Sequence, residues 1–122
     1  MVMRARVEEF VRRIVAGEFL EVMPEFYAET CTARENNDPP RVGLAAMMAN
    51  EKGALDRMEF THIQAKALVV DGDHAAIHYV FEMNIRGTDK KARLEEIAWQ
   101  LWSGDKIVTE RYFYDPAQRT PE

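Results

Sequence analysis

The hairpin from Leu94 to Asp115 constrains this chain more than any other stretch, because its two strands alternate at period two and neither offers a plain solvent face. On the last strand Val108, Glu110, Tyr112 and Tyr114 share one side, and Ile107, Thr109, Arg111 and Phe113 share the other. Aromatic residues on both sides imply that both are covered, one by a core or cavity and the other by a further layer or subunit. The side carrying Glu110 and two phenol hydroxyls suits a wet, ligand-sized hollow, since each buried polar atom needs a partner.

A chain of 122 residues, 47% hydrophobic and 30% charged, has the size and composition of one globular domain, expected to span residues 1–122. Its net charge of -5 and dispersed Lys and Arg argue against a nucleic-acid partner. No apolar run approaches a membrane span, and the start turns acidic at Glu8 without the apolar stretch of a secretory signal, so no membrane partner and a cytoplasmic location are expected. Cys31, the single cysteine, offers neither an intrachain disulfide nor a zinc pair and reads as a small buried hydrophobe.

Val7, Phe10, Val11, Ile14 and Val15 recur at helical spacing ahead of Gly17, a C-terminal cap. A shorter helix carries Leu20, Met23, Phe26 and Tyr27, with Pro24 tolerable in its first turn or at a kink. Thr30 to Glu35 reads as a short strand, and Asn36-Asn37-Asp38-Pro39-Pro40 as a loop before a third helix from Gly43 to Leu55. Four long strands follow, all expected antiparallel: Phe60 to Val70, His74 to Arg86, Lys91 to Ser103 and Lys106 to Asp115.

Turn chemistry then sets registers. Asp71-Gly72 as a two-residue turn pairs Val70 with Asp73, Ala65 with His78 and Ile63 with Val80. A Thr88-Asp89 turn places His78 opposite Trp99 and Glu82 opposite Glu95, and a Gly104-Asp105 turn places Trp99 opposite Glu110, Ile97 opposite Tyr112 and Glu95 opposite Tyr114. The inner face then carries Ile63, His78, Val80, Glu82, Glu95, Ile97, Trp99, Glu110, Tyr112 and Tyr114. The outer face carries Ala98, Gln100, Trp102, Thr109, Arg111 and Phe113, an amphipathic patch fit for a second copy of the chain.

Three helices ahead of a long antiparallel sheet, with Phe26-Tyr27-Ala28-Glu29, Pro39-Pro40-Arg41-Val42-Gly43 and the ending Asp105-Lys106-Ile107-Val108-Thr109-Glu110-Arg111-Tyr112-Phe113-Tyr114-Asp115, resemble the SnoaL-like proteins. These form the polyketide-cyclase and ketosteroid-isomerase branch of the superfamily named after nuclear transport factor 2. The resemblance implies an α+β, cone-shaped fold in which three N-terminal helices pack on a curved antiparallel sheet and enclose a pocket. It also implies sheet-to-sheet homodimers. The isomerase general base falls on Glu35 or its neighbour Arg34. Its oxyanion-stabilising tyrosine falls around Glu9 and Phe10 and its partner acid near Trp99, and neither position matches, so steroid-isomerase chemistry is not expected. An acidic position of the epoxide-hydrolase members falls near Glu82, but Val80 stands where their arginine would be.

The expected site therefore has His78, Glu110 and Glu35 as acid-base groups, with Trp99, Tyr112, Tyr114, Glu82, Glu95, Val80, Ile97 and Ile63 around the ligand. The expected ligand is a small, largely apolar organic molecule bearing a few polar groups. No cofactor is expected, and a metal site from His78, Glu82 and Glu110 has little support from one histidine and two carboxylates without a motif. Three classes stay open: an acid-base enzyme of isomerase, cyclase or hydratase type acting on a carbonyl compound, a binding module using the same pocket, and a structural dimerisation domain.

Overall fold

The computed structural model describes residues 1–119. The first helix, α1 (Arg4–Val15), buries Val7, Phe10, Val11 and Ile14 along one stripe and ends at Gly17, whose φ of 87° closes the last turn. Pro24 sits in the first turn of the five-residue helix α2 (Val22–Phe26), where its missing N–H costs nothing. The chain then runs β1 (Tyr27–Glu35), β2 (Arg41–Val42), α3 (Leu44–Arg57), β3 (Met58–Asp71), β4 (His74–Ile85), β5 (Lys91–Ser103), β6 (Lys106–Phe113) and a 3-10 turn, Pro116–Arg119. Among the described residues no helix is long and apolar enough to cross a membrane.

All six strands form one sheet in the order β2-β1-β6-β5-β4-β3. Three features correct the expected architecture. The sheet is mixed, because β1 runs parallel to β6, with Thr32 beside Thr109 and Glu35 beside Tyr112. It is open rather than curled into an enclosing cone, with β2 and β3 as edges. Nor are the helices all N-terminal, since α3 follows two strands and the 3-10 turn closes the described chain. The α+β class stands, with α1, α2 and α3 on one face of the sheet, over a core that includes Phe10, Phe26, Ile77, Trp102 and Ile107.

Registers differ from expectation at every hairpin. At the first, Asp71 pairs with His74, and positive φ falls on Gly72 as the first loop residue, the placement of a type II′ turn. This turn register puts Ala67 opposite His78, and an irregularity between Ala65 and Ala67 then brings Ile63 opposite Phe81. The second turn is wider than two residues, with Ile85 N–H donating to Lys90 O and Thr88 N–H to Ile85 O, so His78 faces Ile97, Glu82 faces Arg93 and Val80 faces Glu95.

The third hairpin matters most. Ser103 pairs with Lys106 as its turn predicts, and Trp102 with Ile107, but Leu101 then pairs with Thr109, leaving Val108 as the extra residue of a bulge. One extra residue reverses which β5 side chains share a face with Glu110. Gln100 now stands opposite Glu110 and Ala98 opposite Tyr112, while Trp99 faces Arg111 and Ile97 faces Phe113. The inner face of β5 is thus Glu96, Ala98, Gln100 and Trp102, all buried, and Ile97 and Trp99 are outward and 38% and 44% exposed. Ala98, Gln100 and Trp102 therefore leave the expected outer patch, whose outward members are Ile97, Trp99, Thr109, Arg111 and Phe113.

β6 ends before β5 does. Beyond Phe113 the Gln118 side chain takes over, accepting a bond from Glu95 N–H (2.7 Å) and donating one to Glu95 O (3.2 Å).

Candidate functional site

A cleft of about 200 Å³ lies between the helices and the inner sheet face. Its apolar end is aromatic: Phe19 and Phe60 have ring centroids 4.7 Å apart, Phe60 and Phe81 5.7 Å, and Tyr79 and Phe81 5.2 Å. Polar groups line the remainder from β1, α3, β4, β5 and β6.

Glu110 is the centre of that polar end and only 3% exposed. Tyr27 donates to its Oε1 at 2.5 Å and Tyr112 donates to the same oxygen, while Gln100 Nε2 donates to Oε2 at 2.6 Å. The indole of Trp102 donates to Gln100 Oε1 at 3.0 Å, and because an indole only donates, it fixes which end of the amide turns to Glu110. Burial pushes the Glu110 carboxyl above its ordinary range, and the two phenols and the amide pull it back only in part. Both phenols are pushed well above their ordinary range, first by burial and then by the charge of Glu110.

In the cleft wall Glu96, the Tyr79 hydroxyl and Arg41 Nε lack a hydrogen-bond partner among the described residues. Glu96 is 8% exposed and has no hydrogen-bond partner among the described residues; burial, then the charges of Glu110, Glu35 and Glu51, push it up to about 8, so at neutral pH it is an uncharged acid. The neighbouring Tyr79 hydroxyl is buried without a hydrogen bond among the described residues. An unpaired buried polar atom costs about 1–3 kcal/mol, so the Tyr79 hydroxyl stands ready for a group that enters the cleft.

Glu35 ends β1 and is held in a two-bond ion pair by Arg41, at 2.6 and 3.1 Å. The next residue, Asn36, turns the chain with a φ of 47°, a conformation asparagine tolerates, and its N–H and side-chain oxygen bond Tyr112 O and Tyr114 N–H. This clamp ties the Glu35 end of β1 to β6, so Glu35, Tyr112 and Tyr114 line the cleft with Glu110. Glu51 reaches the same cleft from α3, half-buried, its carboxyl pushed up by burial and then by Glu110 while Arg41 pulls it back.

Of the expected acid-base residues, the structure brings Glu35 and Glu110 to one cleft and puts His78 on the opposite sheet face. There His78 Nε2 meets Glu95 Oε2 at 2.6 Å, and this bond, with that from Arg93, holds the Glu95 carboxyl below its usual range. Val80, Glu82, Ile97 and Trp99 share that outward face, where the Trp99 ring stacks on His74 with centroids 4.8 Å apart. Ile63 packs against the core, near the aromatic end. His78 and Glu82 are thus separated from Glu110 by the sheet, and the described residues hold no His, Cys, Asp or Glu cluster arranged for a metal.

Sequence reasoning passed over Glu96, Tyr79, Glu51 and the cleft-lining place of Tyr27, and put Gln100 on the outer face. The Glu96-Ala98-Gln100-Trp102 alternation was a readable signal. It lost to Ile97-Trp99-Leu101 because the latter is the more apolar set, and the bulge at Val108 has no sequence mark of its own.

Residues 7–110 match the SnoaL-like domain. No curated protein sequence matches the chain significantly. Among solved structures, a candidate SnoaL-like polyketide cyclase from Mesorhizobium loti superposes with a TM-score of 0.84 at 17% identity, over 93% of this chain and 100% of that one. TsrD from Streptomyces laurentii gives 0.81 at 16%, over 98% and 95%, and an LEH-like epoxide hydrolase from M. tuberculosis gives 0.75 at 11%, over 93% and 83%. At these identities the likeness speaks to fold alone.

Proposed function

Because the chain belongs to the SnoaL-like domain family, in the ketosteroid-isomerase-like and polyketide-cyclase-like part of the nuclear transport factor 2-like superfamily, we propose that its cleft binds a small, mainly apolar carbonyl compound and moves a proton on it without a cofactor. One observation carries this reading: Glu96, an uncharged and unpartnered acid, faces an aromatic cleft beside the unpartnered Tyr79 hydroxyl. A carbonyl oxygen placed there receives hydrogen bonds from both. As charge develops on that oxygen, Glu96 passes it a proton, and Glu35, ion-paired with Arg41, accepts one from the carbon beside the carbonyl. Glu110 holds the phenols of Tyr27 and Tyr112 in place.

The test is solvent-deuterium exchange beside the carbonyl, followed by NMR, over a panel of aryl ketones and polyketide-like diketones. Wild type exchanges a bound ketone, and Glu96→Gln lowers that rate by roughly 10²–10⁴-fold, the usual worth of a positioned acid. Ketones that bind and never exchange sink the enzyme reading and leave a binding module. A second reading concerns assembly: the outward Ile97, Trp99 and Phe113 favour a homodimer through that face.

A further inference from the structure

Charge in the cleft is unevenly matched. Glu35, Glu51, Glu96 and Glu110 line it with one guanidinium, Arg41. Its two terminal nitrogens are bonded to Glu35, and its Nε is buried without a partner among the described residues. Glu51, Glu96 and Glu110 therefore face the same space with no cation paired to them among the described residues. They press on one another, the charge of Glu110 adding to burial in raising both Glu51 and Glu96. An anionic ligand would add to that repulsion and a neutral one would leave it unchanged. A cation relieves it, and the aromatic walls oppose nothing, since their ring faces attract positive charge.

An acidic lining alone would not identify a ligand. The second observation is the Tyr79 hydroxyl, 3% exposed, lining the cleft and unpartnered, which marks the space as built for something with polar hydrogens or lone pairs. The phenols of Tyr27 and Tyr112 sharpen the point. Each already gives its proton to Glu110, so what it turns elsewhere is an acceptor. That side of the cleft thus calls for a ligand group that donates.

We propose that the molecule bound here carries a protonated amine alongside its carbonyl, and that Glu51 on α3 is the amine's counter-ion. Glu51 takes that role because it is the least buried of the three unpaired carboxyls, so charging it costs least. Glu96 stays uncharged for the carbonyl oxygen, and Glu110 stays satisfied by its three donors. The inference rests on the reading of the cleft as a carbonyl-compound site and names the second group its ligand bears.

Calorimetric titration at neutral pH with three matched probes tests it: 4-(aminomethyl)acetophenone, 4-(hydroxymethyl)acetophenone and 4-acetylbenzoate, which share ring and ketone and differ in charge. The amine binds at least roughly tenfold tighter than the alcohol, the increment of one charge-assisted hydrogen bond, and the benzoate does not bind. Glu51→Gln abolishes the amine's advantage and leaves the alcohol's affinity unchanged, and Glu51→Lys turns the preference toward the benzoate. Equal binding of amine and alcohol, or an amine advantage that survives Glu51→Gln, overturns the inference while the carbonyl-site reading stands. If none of the three probes binds the folded wild type, that reading falls and this one with it.

Discussion

Glu96 shows how one side chain's surroundings decide its chemistry. Its neighbour Glu95 differs from it by one position and lies on the other face, bonded to His78 and held below the usual carboxylate range, while Glu96 is pushed up to about 8. A carboxyl whose folded pKa lies above its unfolded one binds its proton more tightly when folded, so stability falls as pH rises from the ordinary glutamate range towards 8. Glu96→Gln removes that loss. Thermal melts from pH 4 to pH 9 should find the variant close to wild type at the acid end and more stable by on the order of a few kcal/mol at the alkaline end. Parallel curves across the range would show that Glu96 titrates normally. Glu35, Glu110, Tyr112 and Tyr114 were legible as lining residues because β1 ends in a clear loop signal and β6 alternates without fault beyond its bulge. His78 was not placeable, since a histidine on a strand looks the same from either side until its register is known.

At the level of elements, Val108 decides where every inner side chain of β6 points relative to β5. Deleting Val108 removes the extra residue and leaves a regular ladder in which the observed pairs, Trp102 with Ile107, Leu101 with Thr109 and Gln100 with Glu110, all survive. Glu110 and Tyr112 then stay on the inner face, so the deletion should keep a single cooperative melt at a cost of roughly 0.5–3 kcal/mol. A melt that loses its cooperativity would mean that the ladder does not close without Val108. The same element explains the limits of sequence reading. The four long strands, the Gly17 cap and the place of Pro24 follow from local chemistry and are found where local chemistry puts them. The β1–β6 pairing depends on contacts between segments some 75 residues apart, such as Arg111 with the Asn36 carbonyl, and no window of sequence contains both partners.

For the whole molecule, two faces of one sheet divide the work. The helix-covered face holds the cleft, and the opposite face exposes Ile97, Trp99 and Phe113 around Arg111, whose guanidinium lies 4.5 Å from the Phe113 ring. A flat aromatic surface of this kind is costly to leave in water, and a second copy is the partner expected for it. Trp99→Glu, which sets a carboxylate in the patch, should convert a dimer to a monomer by sedimentation without lowering the melt of the cleft-bearing core. A monomeric wild type at micromolar concentration would remove the assembly reading. The outward face also bears on solubility. Past the end of β6 the backbone of Glu95 has β4 on one side and no strand on the other, and a bare strand edge is a template for pairing with another chain. The Gln118 amide occupies both of its groups. One side chain in the C-terminal turn thereby does the pairing of a missing strand residue and leaves no free backbone group of Glu95 for an incoming strand to join.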